Sequence, residues 1–171
     1  VKDGEIHKHW DESQKAIVNE KKIKFLKTHN SLITAFGNDF TSPKYSLGVI
    51  YIIRDPRNVV ISAANHFNTT IEESVSRLLN NTNLGGDINN NKSANKVTTH
   101  LTTWSMHYNS WKALKIRERY LLIKYEDLTK NTEKVFIRIL DFIYDLINQK
   151  YVLDKLKMKN ILKTTSFDYV Q

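Results

Sequence analysis

An α/β domain built on a parallel sheet is what this sequence predicts, and three observations carry the prediction. Residues 47–53 (LGVIYII) are a continuous β-branched and aromatic run without polar alternation, the pattern of a strand buried on both faces. Residues 120–124 (YLLIK) repeat it. Between these runs lie stretches of helical periodicity, so the strands are joined by crossovers.

The elements follow in chain order. Ala16, Ile17 and Val18 sit among polar residues in a short helical pattern from 10 to about 20. Residues 23–28 (IKFLKT) read as a first strand, and 30–44, with Gly37, Asn38, Asp39, Ser42 and Pro43, as the loop after it. Strand 47–53 is followed by Asp55, a good N-cap, and by Pro56, which suits the first helical position, so a helix is predicted over 56–67. Thr69 or Thr70 caps another helix that ends near Asn80, with Glu72 and Glu73 in its first turn and Val75, Leu78 and Leu79 as its stripe. Residues 80–96 (NNTNLGGDINNNKSANK) have a composition that cannot bury enough surface to order itself, and read as a mobile polar loop. A helix over about 96–116 carries Trp104, His107 and Trp111, and strand 120–124 follows. Asn131 opens an amphipathic helix striped by Val135, Phe136, Ile139, Leu140, Ile143 and Ile147, and a last helix spans about 150–162. Three strands make a small sheet against a usual count of about five or six, so residues 1–171 are expected to be one partial domain.

Composition narrows the function. Of 171 residues, 40% are apolar and 26% charged, which fits a folded chain and neither a disordered nor a fibrous one. No apolar run approaches the roughly 18 to 20 residues of a spanning helix, and VKDGEIHKHWDE lacks the apolar centre of a signal peptide, so no membrane partner is expected. The absence of cysteine excludes disulfides, thiolate metal sites and a cysteine nucleophile, and makes a cytoplasmic location the expectation. A net charge of +8 calls for an anionic partner, although Lys-rich, Asn-rich usage also follows from an AT-rich genome.

Four constellations could carry chemistry. At the end of the first expected strand, Lys27 and His29 are two apart and point to one side, with Thr28 facing away, at a strand end where parallel sheets bind ligands. From that tripeptide alone, a solvated lysine beside an incidental histidine explains the residues better. Next, strand 47–53 delivers Arg54 to the sheet edge, and the helix opening at Pro56 offers backbone N–H groups and a positive dipole end to an anion. Arg57 in that first turn is either solvated or balanced by an anion or by Asp55. A plain N-cap flanked by surface arginines is equally consistent with the segment. Third, Tyr125 before Glu126 and Asp127 stands at the end of strand 120–124, where its ring can pack on a base; a rim aromatic before helix-capping acids is the simpler account. Fourth, Trp104, His107 and Trp111 share one helix face, and such stripes usually pack into a core.

The order of these segments is more specific than any one of them. KTH, RDPR with Ser62, WxxHxxxW, YED and then Thr165-Ser166-Phe167 together resemble the sulfotransferases that use 3′-phosphoadenosine 5′-phosphosulfate (PAPS), particularly the soluble type and its bacterial relatives. The resemblance spans about residues 23–167. It implies a P-loop-NTPase-like three-layer α/β/α fold with a central parallel sheet, and transfer of a sulfuryl group to a hydroxyl or amine on a small-molecule or glycan acceptor, without a metal. By it, His29 is the general base and Lys27 assists the transferring group. Arg54 and Ser62 hold the 3′-phosphate, while Tyr125, Thr165 and Phe167 lie near the adenine. The family's 5′-phosphosulfate loop should precede KTH, and nothing in residues 1–24 resembles it; a Gly- and Arg-containing loop should follow TSF. The acceptor is expected beneath the 80–96 loop. Asn30-Ser31 replaces the Leu-Pro common after KTH in the soluble enzymes, which alters the expected acceptor pocket.

The rival reading is a non-catalytic basic module that binds nucleotides or nucleic acid, motivated by the charge. No helix-turn-helix, zinc-finger or RNP signature supports it, and a kinase lacks its GxxxxGK[ST]. Adenosine specificity without a steep salt dependence separates the two.

Overall fold

The computed structural model describes residues 3–19, 22–84, 98–114 and 118–166. A 3-10 segment, Asp3–His9, leads into α1 (Trp10–Val18). Two short strands, β1 (Thr34–Ala35) and β2 (Asn38–Asp39), pair antiparallel around Phe36 and Gly37, whose φ values of 49° and 80° make the tight turn. Then come β3 (Val49–Ile53), α2 (Pro56–Phe67), α3 (Ile71–Leu79), β4 (Thr82–Leu84) and β5 (Thr99–Thr102). The chain continues through α4 (Trp104–Lys112), β6 (Tyr120–Lys124), α5 (Tyr125–Lys130), α6 (Thr132–Leu146) and α7 (Lys155–Thr164).

The sheet at the centre is the parallel pair β3–β6, in register from Val49 opposite Tyr120 to Ile53 opposite Lys124. Ile123 on β6 is fully buried, whereas Ile52 on β3 is exposed, so β6 takes the central burial expected of β3. Helix α6 lies across the start of β3, where Gly48 makes the approach possible. A Cβ there would overlap Leu146 Cδ1 and stand 3.2 Å from both Phe142 Cζ and the Arg119 carbonyl. Val135 of α6 is buried, and Met158 brings α7 against the same layer.

Local chemistry explains the helix ends. Asp55 caps α2 by accepting from the Arg57 N–H, Pro56 occupies the first turn, and Asn68 closes the helix in the left-handed region at φ 53°. Thr70 and Glu73 form a reciprocal capping box on α3, a device that contributes about 1 kcal/mol. Thr103 accepts from the Met106 N–H at the start of α4, and Asp154 accepts from Leu156 and Lys157 at the start of α7.

Three expectations are corrected. Residues 23–28 form no strand: the chain from 23 to 31 is irregular, with Ile23, Phe25 and Leu26 exposed. Backbone groups just beyond it bond to α4 and β5, drawing the chain away from a ladder. Residues 82–84, placed in the polar loop, are β4, which pairs antiparallel with β5; residues 85–96 of that loop lie outside the described residues. The helix expected over 96–116 gives way to β5 at 99–102, because the β-branched stretch TTHLTT extends and Thr103 restarts the chain as the cap of α4; residues 96, 97, 115 and 116 lie outside the described residues.

An aromatic cluster seats α1 on the domain. Trp10 meets Phe40 edge-on at 5.3 Å between centroids, and Phe40 meets Trp111 at 6.2 Å. Gln14 Nε2 donates to the Phe40 carbonyl, and Tyr45 Oη to Asp11.

Candidate active site at the ends of the parallel strands

Because β3 and β6 run parallel and end in register, the residues after each strand leave the sheet side by side. Arg54 follows β3 and Tyr125 follows β6, and the guanidinium carbon lies 4.8 Å from the Tyr125 ring centroid. Glu126 Oε1 accepts from the Asp55 N–H at 3.1 Å, tying the start of α5 to the turn before α2. That bond comes first among the causes that lower the Glu126 carboxyl below its ordinary pKa, and Arg54 adds to them.

Arg57 is balanced from within. Its guanidinium and its backbone N–H both engage the Asp55 carboxylate, at distances from 2.5 to 3.2 Å, and the Asp55 carboxyl is held down to about 2. The Arg57 side-chain bonds are the largest cause of that lowering. One backbone donor of the α2 N-terminus is therefore taken by its own cap, fewer than the sequence promised. Among the described residues no carboxylate forms an ion pair with Arg54. The cation turned toward the sheet edge is thus Arg54, a planar fork suited to phosphate.

Lys27 and His29 are exposed and stand in irregular chain, not at a strand end. The segment from 28 to 32 is nevertheless closely held. Asn30 N–H donates to Thr28 Oγ1, Ser31 N–H to the His100 carbonyl at 2.8 Å, and Leu32 N–H to Ser110 Oγ. Asn30 Oδ1 accepts from the His100 N–H at 2.6 Å. Ser31 is fully buried, its hydroxyl donating to the Leu101 carbonyl.

Two of these anchors come from the aromatic stripe of α4. His107 Nε2 lies 3.1 Å from the His29 carbonyl, and Trp111 Nε1 donates to the Asn30 carbonyl at 2.9 Å. The other ring nitrogen, His107 Nδ1, is 2.8 Å from Tyr51 Oη on β3. Burial, together with Tyr108, pushes the Tyr51 hydroxyl up to about 12. Burial likewise lowers the His107 imidazole below its ordinary pKa, against the bond to the His29 carbonyl, and the nearby His29 ring adds to the lowering. The stripe, expected to serve core packing, does pack through Trp111, which is 4% exposed. It also fixes the KTH segment, a role that helical spacing does not reveal; the polar atoms of His and Trp on a buried face were the available signal.

The remaining expected positions are less gathered. Ser62 is exposed in the second turn of α2. Thr165 follows α7, its hydroxyl donating to the Ile161 carbonyl of the same helix. Phe167 lies outside the described residues.

The family model of the sulfotransferase domain matches residues 5–171, and the chain belongs to that family. Sulfotransferase 2A6 of Mus musculus is 28% identical over 143 residues, which cover 78% of this chain and 44% of that protein. The crystal structure of mouse sulfotransferase SULT7A1 complexed with PAP aligns with 71% of this chain and 39% of its own, at TM-score 0.52 and 20% identity. The fold is accordingly the P-loop-like α/β fold of sulfotransferases. The chain spans less than half the length of these relatives.

Proposed function

We propose that this chain is part of a single sulfotransferase domain that moves a sulfuryl group from PAPS to a hydroxyl or amine of a small-molecule or glycan acceptor. The observation that carries the proposal is the pairing of Arg54 with Tyr125 at the C-terminal ends of β3 and β6, within a chain of the sulfotransferase domain family. An arginine that forms no ion pair with a carboxylate among the described residues, beside an aromatic ring, suits a nucleotide that carries a phosphate on its ribose. The relative of solved structure is a complex with PAP, which supports the same donor here.

In this reading Arg54 and Ser62 hold the 3′-phosphate, and Tyr125, with Thr165 and Phe167, borders the adenine. His29 takes the proton of the acceptor as its oxygen or nitrogen bonds to sulfur, and the bond from sulfur to the donor phosphate breaks, its electron pair leaving on the phosphate oxygen. Lys27 offsets the negative charge that gathers there. The exposure of Lys27 and His29 gives an acceptor access to them. The cysteine-free composition supports a cytoplasmic place, and no helix among the described residues is long and apolar enough to cross a membrane.

The test is transfer of labelled sulfuryl from PAPS to phenol and sugar acceptors. Transfer that adenosine 3′,5′-bisphosphate inhibits supports the proposal; binding of bulk nucleic acid with a steep salt dependence, without transfer, favours the basic binding module.

A further inference from the structure

We infer that His107 is a positioning residue that, together with Tyr51 and Trp111, sets the place of His29. The inference rests on the reading of His29 as the base.

Three facts carry it. First, no hydrogen bond among the described residues holds the His29 imidazole, and the ring is exposed, so only its backbone can define where it stands. Second, that backbone is gripped by side chains one turn apart on α4: His107 reaches the His29 carbonyl and Trp111 the next one, of Asn30. Third, the grip has a direction. The His29 carbonyl can only accept, so the proton of the neutral His107 imidazole resides on Nε2, and Nδ1 accepts from the Tyr51 hydroxyl.

Tyr51 lies on β3 three residues before Arg54, so the strand that delivers the phosphate-binding arginine also orients the histidine that orders the base. The two ends of the site are held by one rigid element, as in-line transfer requires. A purely apolar stripe on α4 would bury as well and would leave the His29 and Asn30 carbonyls without these donors.

The experiment compares His107→Ala, His107→Asn, His107→Gln and Tyr51→Phe in the full chain. The readouts are calorimetric affinity for adenosine 3′,5′-bisphosphate, amide exchange at Ser31 and Leu32, and kcat and KM for sulfuryl transfer. His107→Ala is expected to leave nucleotide affinity and acceptor KM near wild type, raise exchange at both amides and lower kcat about 10- to 100-fold. His107→Gln, whose Nε2–H reaches as far as that of histidine, restores most of both. His107→Asn, which stops short, does not. Tyr51→Phe falls between them, because the Nε2–H tautomer then rests on the His29 carbonyl alone.

Unchanged exchange at Ser31 and Leu32 in His107→Ala overturns the tether whatever the activity. Raised exchange with wild-type kcat overturns the positioning role. Equal loss in the Asn and Gln variants reduces His107 to a packing residue and also overturns it. Wild-type kcat in His29→Ala overturns the base reading and the positioning role with it, and the exchange data then stand as a structural result separate from that failure.

Discussion

Arg54 and Tyr125 leave two parallel strands at the same level, and the guanidinium of one lies 4.8 Å from the ring centroid of the other. Register creates the pair. Ile53 stands opposite Lys124, so the next residue of each strand emerges at a common edge, with the turn to α2 tied to α5 through Asp55 and Glu126.

If that pair forms the end of a nucleotide site, Arg54→Ala weakens adenosine 3′,5′-bisphosphate by about 1.5–3 kcal/mol, the range for hydrogen bonds to a charged group, or roughly 10- to 150-fold. Arg54→Lys keeps the charge without the fork and lands between. Calorimetric titration of both variants measures this, and an unchanged affinity in the alanine variant removes Arg54 from the site.

Tyr51 and Tyr120 are neighbours, with ring centroids 6.0 Å apart, yet their hydroxyls have opposite fates. Tyr51 Oη is bonded to His107, while Tyr120 Oη is buried without a partner among the described residues, and burial raises its pKa. Tyr51→Phe therefore destabilises by about 1 kcal/mol, and Tyr120→Phe, which removes an unsatisfied group, is neutral or stabilising by a similar amount. Urea unfolding of the two variants side by side gives the comparison.

Acid stability depends on His107 in a direction its environment sets. Its pKa in the folded protein lies below the unfolded value, chiefly through burial, so below about 6.5 the unfolded chain binds the proton that the folded chain refuses. Its contribution is complete above that pH and is lost as pH falls. Urea midpoints at pH 7.5 and 5.5 should drop more in the wild type than in His107→Gln; parallel drops would show that another group governs the loss.

Gly48 is a packing position. A methyl group there meets Leu146, Phe142 and the Arg119 carbonyl, so Gly48→Ala displaces α6 from the start of β3 and costs about 1–3 kcal/mol. A thermal melt of the variant shows the loss, and wild-type stability would mean that α6 yields without cost.

What was legible in the sequence is what local chemistry determines. Asp55-Pro56 marks the start of α2, Thr70 with Glu73 the start of α3, and the β-branched runs mark β3 and β6, each a signal that acts within a few residues. What was not legible depends on partners far along the chain. Residues 23–28 have strand composition but find no ladder, and β4 exists only because β5 pairs with it. Within the site, Arg54 and Tyr125 meet as strand ends in register must. The bonds from His107 and Trp111 to the KTH segment join residues some eighty positions apart, and no periodicity discloses them.

The account turns on His29 as a base, and the direct measurement is sulfuryl transfer from PAPS to a phenol by the wild type and by His29→Ala, with bisphosphate affinity determined on the same samples. The expected result is near-equal affinity with kcat reduced by about 10² to 10⁴ in the variant, the usual range for loss of general-base catalysis. Wild-type turnover by His29→Ala would contradict the account and leave His29 an ordinary exposed histidine.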